Sequence, residues 1–148
     1  MGVIVVGVDD SEGAKVALRF ALEEAKLRGA TLRAVHAWQF GSIGASGIEG
    51  AYPVIGADLS DLHRAAEAAL EAAVEEVVSE RGEVGVERRV VEGAAASVLV
   101  DESRDAELLV VGSRGRGGFA GLLLGSVSQQ CAHHAACPVV IVPHERER

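Results

Sequence analysis

Two groups of residues in this chain have the types and spacing to do chemistry. The first is VVGSRGRGGFAGLLLGS, Val110 to Ser126, with six glycines in seventeen residues, two arginines and a run of three leucines. The second is the pair Asp9 and Asp10, directly after the apolar run VIVVGV. Glycine is costly inside regular structure and is kept where backbone must turn tightly or come close to a ligand. Backbone N–H groups with no Cβ in the way can close on phosphate oxygens. Gly125 and Ser126 stand where a helix should start, and a helix N-terminus offers open donors and partial positive charge to an anion. Ser126 and Ser128 add hydroxyl donors. Arg114 and Arg116 lie in this stretch, with no acid from Ser113 to His144, although the whole chain carries −8. The chemistry these residues suit is that of a phosphate cradle.

The elements that must position them follow from the hydrophobic pattern. Val3 to Val8 is a nearly continuous apolar run, as in a strand buried on both faces of a parallel sheet. Ser11 or Asp10 can cap the helix that follows. That helix runs from about Glu12 to Arg28, with Ala14, Ala17, Leu18, Ala21, Leu22 and Ala25 on one face, and Gly29 stops it. Thr31 to Trp38 reads as the second strand. Asp58 to Arg81 reads as a long helix with Leu62, Ala66, Ala69, Ala73 and Val77 inward. Val84 to Val91 is an imperfectly alternating strand, interrupted by Arg88, which suits a sheet edge. A short helix from Ala94 to Arg104, a strand from Glu107 to Val111, a helix from Ser126 to Ala136 and a strand from Pro138 to Val142 complete the chain.

This alternation predicts an α/β fold: one open five-stranded parallel sheet, order 3-2-1-4-5, with right-handed crossovers and helices on both faces. It is a Rossmann-like arrangement in a single domain over residues 1–148. Ligands bind such sheets beyond the carboxyl ends of the strands, where the strand order reverses. Here that is between strands 1 and 4, at Asp9 and Gly112. Topology and composition therefore select the same place. The chain has no GxxxxGK[ST] string. GRGGFA, Gly115 to Ala120, matches GxGxxA, but it follows the fourth strand and no acid stands ~20 residues on to hold a ribose. A P-loop and a dinucleotide fingerprint are both set aside.

With these residues assembled, the chain resembles a known family. GSRGRGGFAGLLLGS fits G-x2-G-x9-G-[ST] through Gly112, Gly115, Gly125 and Ser126. It is similar to the ATP-binding loop of the universal stress proteins. VVGVDDSEGAKVAL, AVHAW and CPVVIVP resemble the same family, so the likeness covers nearly the whole chain. The resemblance implies binding of ATP, ADP or AMP. It places Asp9 near the ribose and gives Ala37 a backbone that reads the adenine. Val111, Gly112, Arg114 and Gly115 then begin the phosphate loop, and Gly125, Ser126, Val127 and Ser128 end it. It also implies a homodimer, which would pair the last strand, Pro138 to Val142, and cover an apolar edge that proteins avoid exposing. Two positions depart from the family pattern. Asp10 stands where glycine is common. It either meets the phosphates through Mg²⁺, together with Asp9, or caps the helix, and the cap is favoured. Ala37 stands where valine is common, a change that a backbone contact tolerates.

The remaining residues carry less. His133 and His134 are adjacent on a helix, about 100° apart, and cannot share a metal as an i,i+4 pair does. Cys131 shares a helix face with Val127 and Ala135 and reads as a small core residue. Cys137 is a second free thiol. His36 reads as a satisfied strand-end histidine. Trp38 and Tyr52 either flank the adenine side or pack under the long glycine-rich segment Gln39 to Ala57, and packing is favoured. Leu122 to Leu124 read as packing that anchors the loop. Negative charge argues against a nucleic-acid partner, and no stretch approaches the ~20 apolar residues of a membrane span. The N-terminus lacks a basic leader and a cleavage site, so a cytoplasmic setting is expected. The functional expectation is a nucleotide-sensing regulatory protein of the stress response. A slow ATPase is the alternative, set back by the lack of a base in the glycine loop. A nucleotide-free dimeric interaction module is the third reading.

Overall fold

The computed structural model describes residues 2–9, 11–39, 59–81, 85–113 and 125–143. Five parallel strands form one sheet: β1 Val3–Gly7, β2 Thr31–Trp38, β3 Val86–Glu92, β4 Leu108–Gly112 and β5 Val139–Val142, in the order β3-β2-β1-β4-β5. Among the described residues four α-helices cover it: α1 Glu12–Arg28, α2 Leu59–Arg81, α3 Ala95–Glu102 and α4 Ser126–His134. A single 3-10 turn, Ser103–Asp105, follows α3. The expected α/β architecture and strand order are present. No helix among the described residues is long and apolar enough to cross a membrane.

Strand alternation divides the core in two. Ile4, Val6, Leu32, Ala34, Leu108 and Val110 face α1 and α2, while Val5, Val35, Leu109 and Val111 face α3 and α4. Burying such a side chain stabilises by roughly 1.5–3 kcal/mol, so the central strands β1 and β4 anchor the fold. Their near-continuous apolar sequence reflects helices on both faces.

The helices form and stop for local reasons. α1 begins at Ser11, whose hydroxyl accepts the Ala14 N–H at 3.1 Å. The cap expected of Asp10 or Ser11 is therefore Ser11; Asp10 lies outside the described residues. α1 ends at Gly29 in the left-handed region, φ 64°, with the Ala30 N–H reaching back to the Ala25 carbonyl at 2.9 Å. That backbone favours glycine. In α2 the buried stripe is Leu62, Ala66, Leu70, Ala73, Val74 and Val77. Ala69, expected inward, is exposed. The larger Leu70 takes the inward place because the stripe advances from Ala66 by four residues rather than three.

Charged residues inside strands find long-range partners. Arg88, the interruption in β3, reaches Glu71 on α2 at 2.8 Å and Glu75 at 3.6 Å. Arg33, in the middle of β2, is buried and pairs with Glu87 at 2.8 Å and with Glu102 and Asp105 at 3.1 Å. Burial alone would lower the guanidinium's pKa. The bonds to Glu87 and Asp105 outweigh it, and the net shift is upward. The cluster pulls the end of α3 and the following turn onto the sheet.

Candidate functional site

The site is built where the strand order reverses. β1 stays paired past its last residue, since the Val8 N–H donates to the Val35 carbonyl at 2.8 Å. The Val8 carbonyl then meets Nδ1 of buried His36 at 2.8 Å. Since a carbonyl oxygen only accepts, that contact places a proton on Nδ1. The strand-end histidine read from the sequence is thus satisfied, and it holds the end of β1 against β2.

Asp9 is the first residue beyond this clamp. Its Oδ1 accepts the Ser11 N–H at 2.9 Å and also the Ser11 hydroxyl. The same hydroxyl oxygen caps α1. Asp9 therefore shapes the turn into α1 as well as standing at the switch point.

On the other side of the switch point, β4 carries the backbone to Gly112, with Val111 buried beneath it. The next residue, Ser113, is a junction. Its N–H donates to the Val142 carbonyl of β5 at 2.9 Å, and its carbonyl accepts the Gly125 N–H at 2.7 Å. Ser128, 2% exposed, directs its hydroxyl to the Ser113 carbonyl at 2.9 Å or the Gly125 carbonyl at 3.0 Å. The stem of the glycine stretch is thereby closed at both ends. Ser113 was not singled out in the sequence; the signal was its place just past the last glycine of β4.

Gly125 is the N-cap of α4 and provides no side-chain cap. The helix's own ladder begins with the Gln129 N–H on the Gly125 carbonyl at 3.0 Å. The amides of Ser126, Val127 and Ser128 precede that ladder, the usual state of a helix N-terminus able to take an anion. Ser126 is exposed, Val127 half-buried and Ser128 buried. Ser128 thus spends its hydroxyl proton on the loop stem, while its amide stays with the helix start.

Ala37 lies at the end of β2, in register with Val91, and packs on the α3 side of the sheet. The next residue, Trp38, has its carbonyl bonded by the Gly93 N–H at 2.7 Å. Its ring stands 5.9 Å from that of His63 on α2, at 51°. Trp38 Nε1 is shielded from solvent with no hydrogen-bond partner. The structure thus brings Asp9, Ala37, Val111, Gly112, Gly125, Ser126, Val127 and Ser128 to the carboxyl end of one sheet. Asp10, Arg114, Gly115 and residues 40–57 of the long segment lie outside the described residues. Among the described residues no three or more His, Cys, Asp or Glu side chains gather into a group that could hold a metal. The donor set at the switch point, helix-start amides beside a glycine-rich stretch of sequence, fits a phosphate group by its chemistry.

The profile of the Universal stress protein family matches residues 1–143. A universal stress protein of Mycolicibacterium smegmatis is 37% identical over 140 residues, which is 94% of this chain and 45% of that protein. The chain spans about half the length of the curated relatives it matches. Among solved structures, an Archaeoglobus fulgidus universal stress protein in complex with dAMP is 26% identical. It covers 96% of this chain and 98% of its own, with a TM-score of 0.68. A universal stress protein in complex with cAMP is 29% identical, covers 95% of each chain and has a TM-score of 0.66. With the strand order, the glycine stretch at the switch point and a profile match over nearly its whole length in agreement, the chain belongs to the universal stress protein family.

Proposed function

We propose that this protein binds an adenine nucleotide at the carboxyl ends of β1, β2 and β4 and serves a regulatory role in the stress response. The observation that carries the reading is the closed stem of the glycine stretch, which sets the uncapped start of α4 at the strand-order reversal. The two related structures whose complexes hold cAMP and dAMP support the ligand class. In this reading the amides of Ser126, Val127 and Ser128 take phosphate oxygens, joined by Gly112, Arg114 and Gly115. Val111 floors the site, Asp9 meets the ribose and the Ala37 backbone reads the base. The nucleotide is ATP, ADP or AMP. Asp9 and Asp10 would hold a Mg²⁺ ion if one accompanies the nucleotide, and its charge would offset the repulsion between carboxylates and phosphates.

The protein acts as a homodimer through Pro138 to Val142. β5 is the outer strand of the sheet and, among the described residues, pairs only with β4, which leaves one edge for a second copy. Two copies of this chain also approach the length of one of its longer relatives.

Titration calorimetry with ATP, ADP, AMP and cAMP tests the reading. Binding of at least one is expected, and it should be lost in the double variant Gly112→Val, Gly125→Val with the far-UV circular dichroism retained. Absence of binding to all four ends the proposal; binding that survives the double substitution moves the phosphates away from α4.

A further inference from the structure

We infer that the Trp38 indole N–H is a specificity-determining donor that recognises the nucleoside end of the nucleotide, an inference that rests on the binding reading above. Trp38 Nε1 is buried with no acceptor, and among the described residues it is the buried side-chain donor left in that condition. Leaving such a donor unpaired is costly. Its neighbours on the same sheet end show the contrast. His36, two residues earlier and so on the same face of β2, has its Nδ1 on the Val8 carbonyl. Ser128, at the far side of the switch point, has two carbonyls within reach.

The ring is held in place. The Trp38 backbone is fixed by pairing with β3, through Glu92 in register and the Gly93 N–H on its carbonyl. Its face is fixed by the tilted contact with His63. An ordered aromatic with an unpaired donor suits an acceptor that arrives from outside the chain and displaces the cover that shields Nε1. Indole N–H donates and cannot accept. The complement is therefore a lone pair, such as a ring nitrogen of the base or a ribose oxygen.

Position selects the nucleoside over the phosphates. Trp38 follows Ala37 at the end of β2, and β1 lies between β2 and β4. At a strand spacing of about 4.8 Å, the end of β2 is about 10 Å from the end of β4, where the glycine stretch begins. Phosphates at the start of α4 leave the other end of the molecule over β2.

The chain has one tryptophan, so a 15N-labelled sample gives one indole N–H resonance. The experiment titrates wild-type protein with AMP and, separately, with inorganic tripolyphosphate. AMP is expected to move the indole proton downfield, and tripolyphosphate to leave it in place. Trp38→Phe, which keeps an aromatic ring and removes the donor, is expected to bind AMP roughly five- to tenfold more weakly and tripolyphosphate unchanged. An unmoved indole resonance at AMP saturation overturns the inference while nucleotide binding stands; so does AMP affinity unchanged in Trp38→Phe, or an equal shift with tripolyphosphate. If wild-type protein binds no AMP, ATP or cAMP, the binding reading fails first. The wild-type titration decides the matter even where the variant folds poorly.

Discussion

The two cysteines show how burial sets chemistry residue by residue. Cys131 is fully buried on α4 against the second core cluster. Burial pushes its thiol from the ordinary 9.0 up to about 11, and burial also raises Cys137, which is half-buried. A thiol-specific reagent at neutral pH should label Cys137 first and Cys131 only on unfolding, as peptide mapping would reveal. The sign of the pH effect follows from the raised value in the folded state. The stabilising contribution of a protonated Cys131 is full below about pH 9 and declines as pH rises towards about 11. Cys131→Ala should remove that part of the alkaline slope, measured as the difference between wild-type and variant urea unfolding at pH 8 and pH 10. Cys131 as a small core residue was legible from its helical spacing with Val127 and Ala135. That Trp38 keeps a buried donor without a partner was not. An unpaired donor is defined by what surrounds it, and the ring contact of Trp38, His63, lies on another element. Ser128 was legible as a hydroxyl at a helix start, but the carbonyl it meets belongs to Ser113, fifteen positions earlier.

At the scale of elements, local punctuation was readable and tertiary charge was not. Gly29 ends α1 as its sequence suggests, because the left-handed cap is a property of one residue. Ser11 rather than Asp10 caps the same helix, since the cap is decided by which side chain reaches the Ala14 amide. Arg33 is the opposite case. Nothing adjacent to it explains a cation inside an apolar strand; its partners stand at positions 87, 102 and 105. Arg33→Ala leaves Glu102, whose side chain is only 10% exposed, with Arg89 as its remaining ion pair. A loss of about 3 kcal/mol in chemical denaturation is expected. Arg33 also holds the Asp105 carboxyl below its ordinary 3.8, first by hydrogen bonding and then by charge attraction. A depressed carboxylate stabilises above pH 3.8 and loses that contribution as pH falls below it. The acid limb of the stability profile should therefore be shallower in Arg33→Ala. Full stability in that variant would show that the cluster is no more than a surface network.

For the whole molecule, the strand order was legible because βα alternation and right-handed crossovers leave few arrangements, and the polar β3 marked one edge. Half of the candidate site was legible with it, since the switch point follows from topology alone. The prediction at this scale concerns the other edge. Light scattering at micromolar concentration should give the mass of two chains, and a monomeric mass would remove β5 as an interface. Ile141→Pro, which removes an N–H directed away from β4 and towards the open edge, should shift the population towards monomer. One residue described above ties this edge to the proposed nucleotide site. Ser113 spends its N–H on the last residue of β5 and its carbonyl on the first residue of the α4 cap. In a dimer paired through β5, the two equilibria therefore share a structural element, and thermodynamic linkage makes their influence reciprocal. Whatever factor dimerisation applies to nucleotide affinity, saturating nucleotide must apply to the dimer constant. A protein of this build would read its own concentration and the cell's adenylate level as one variable.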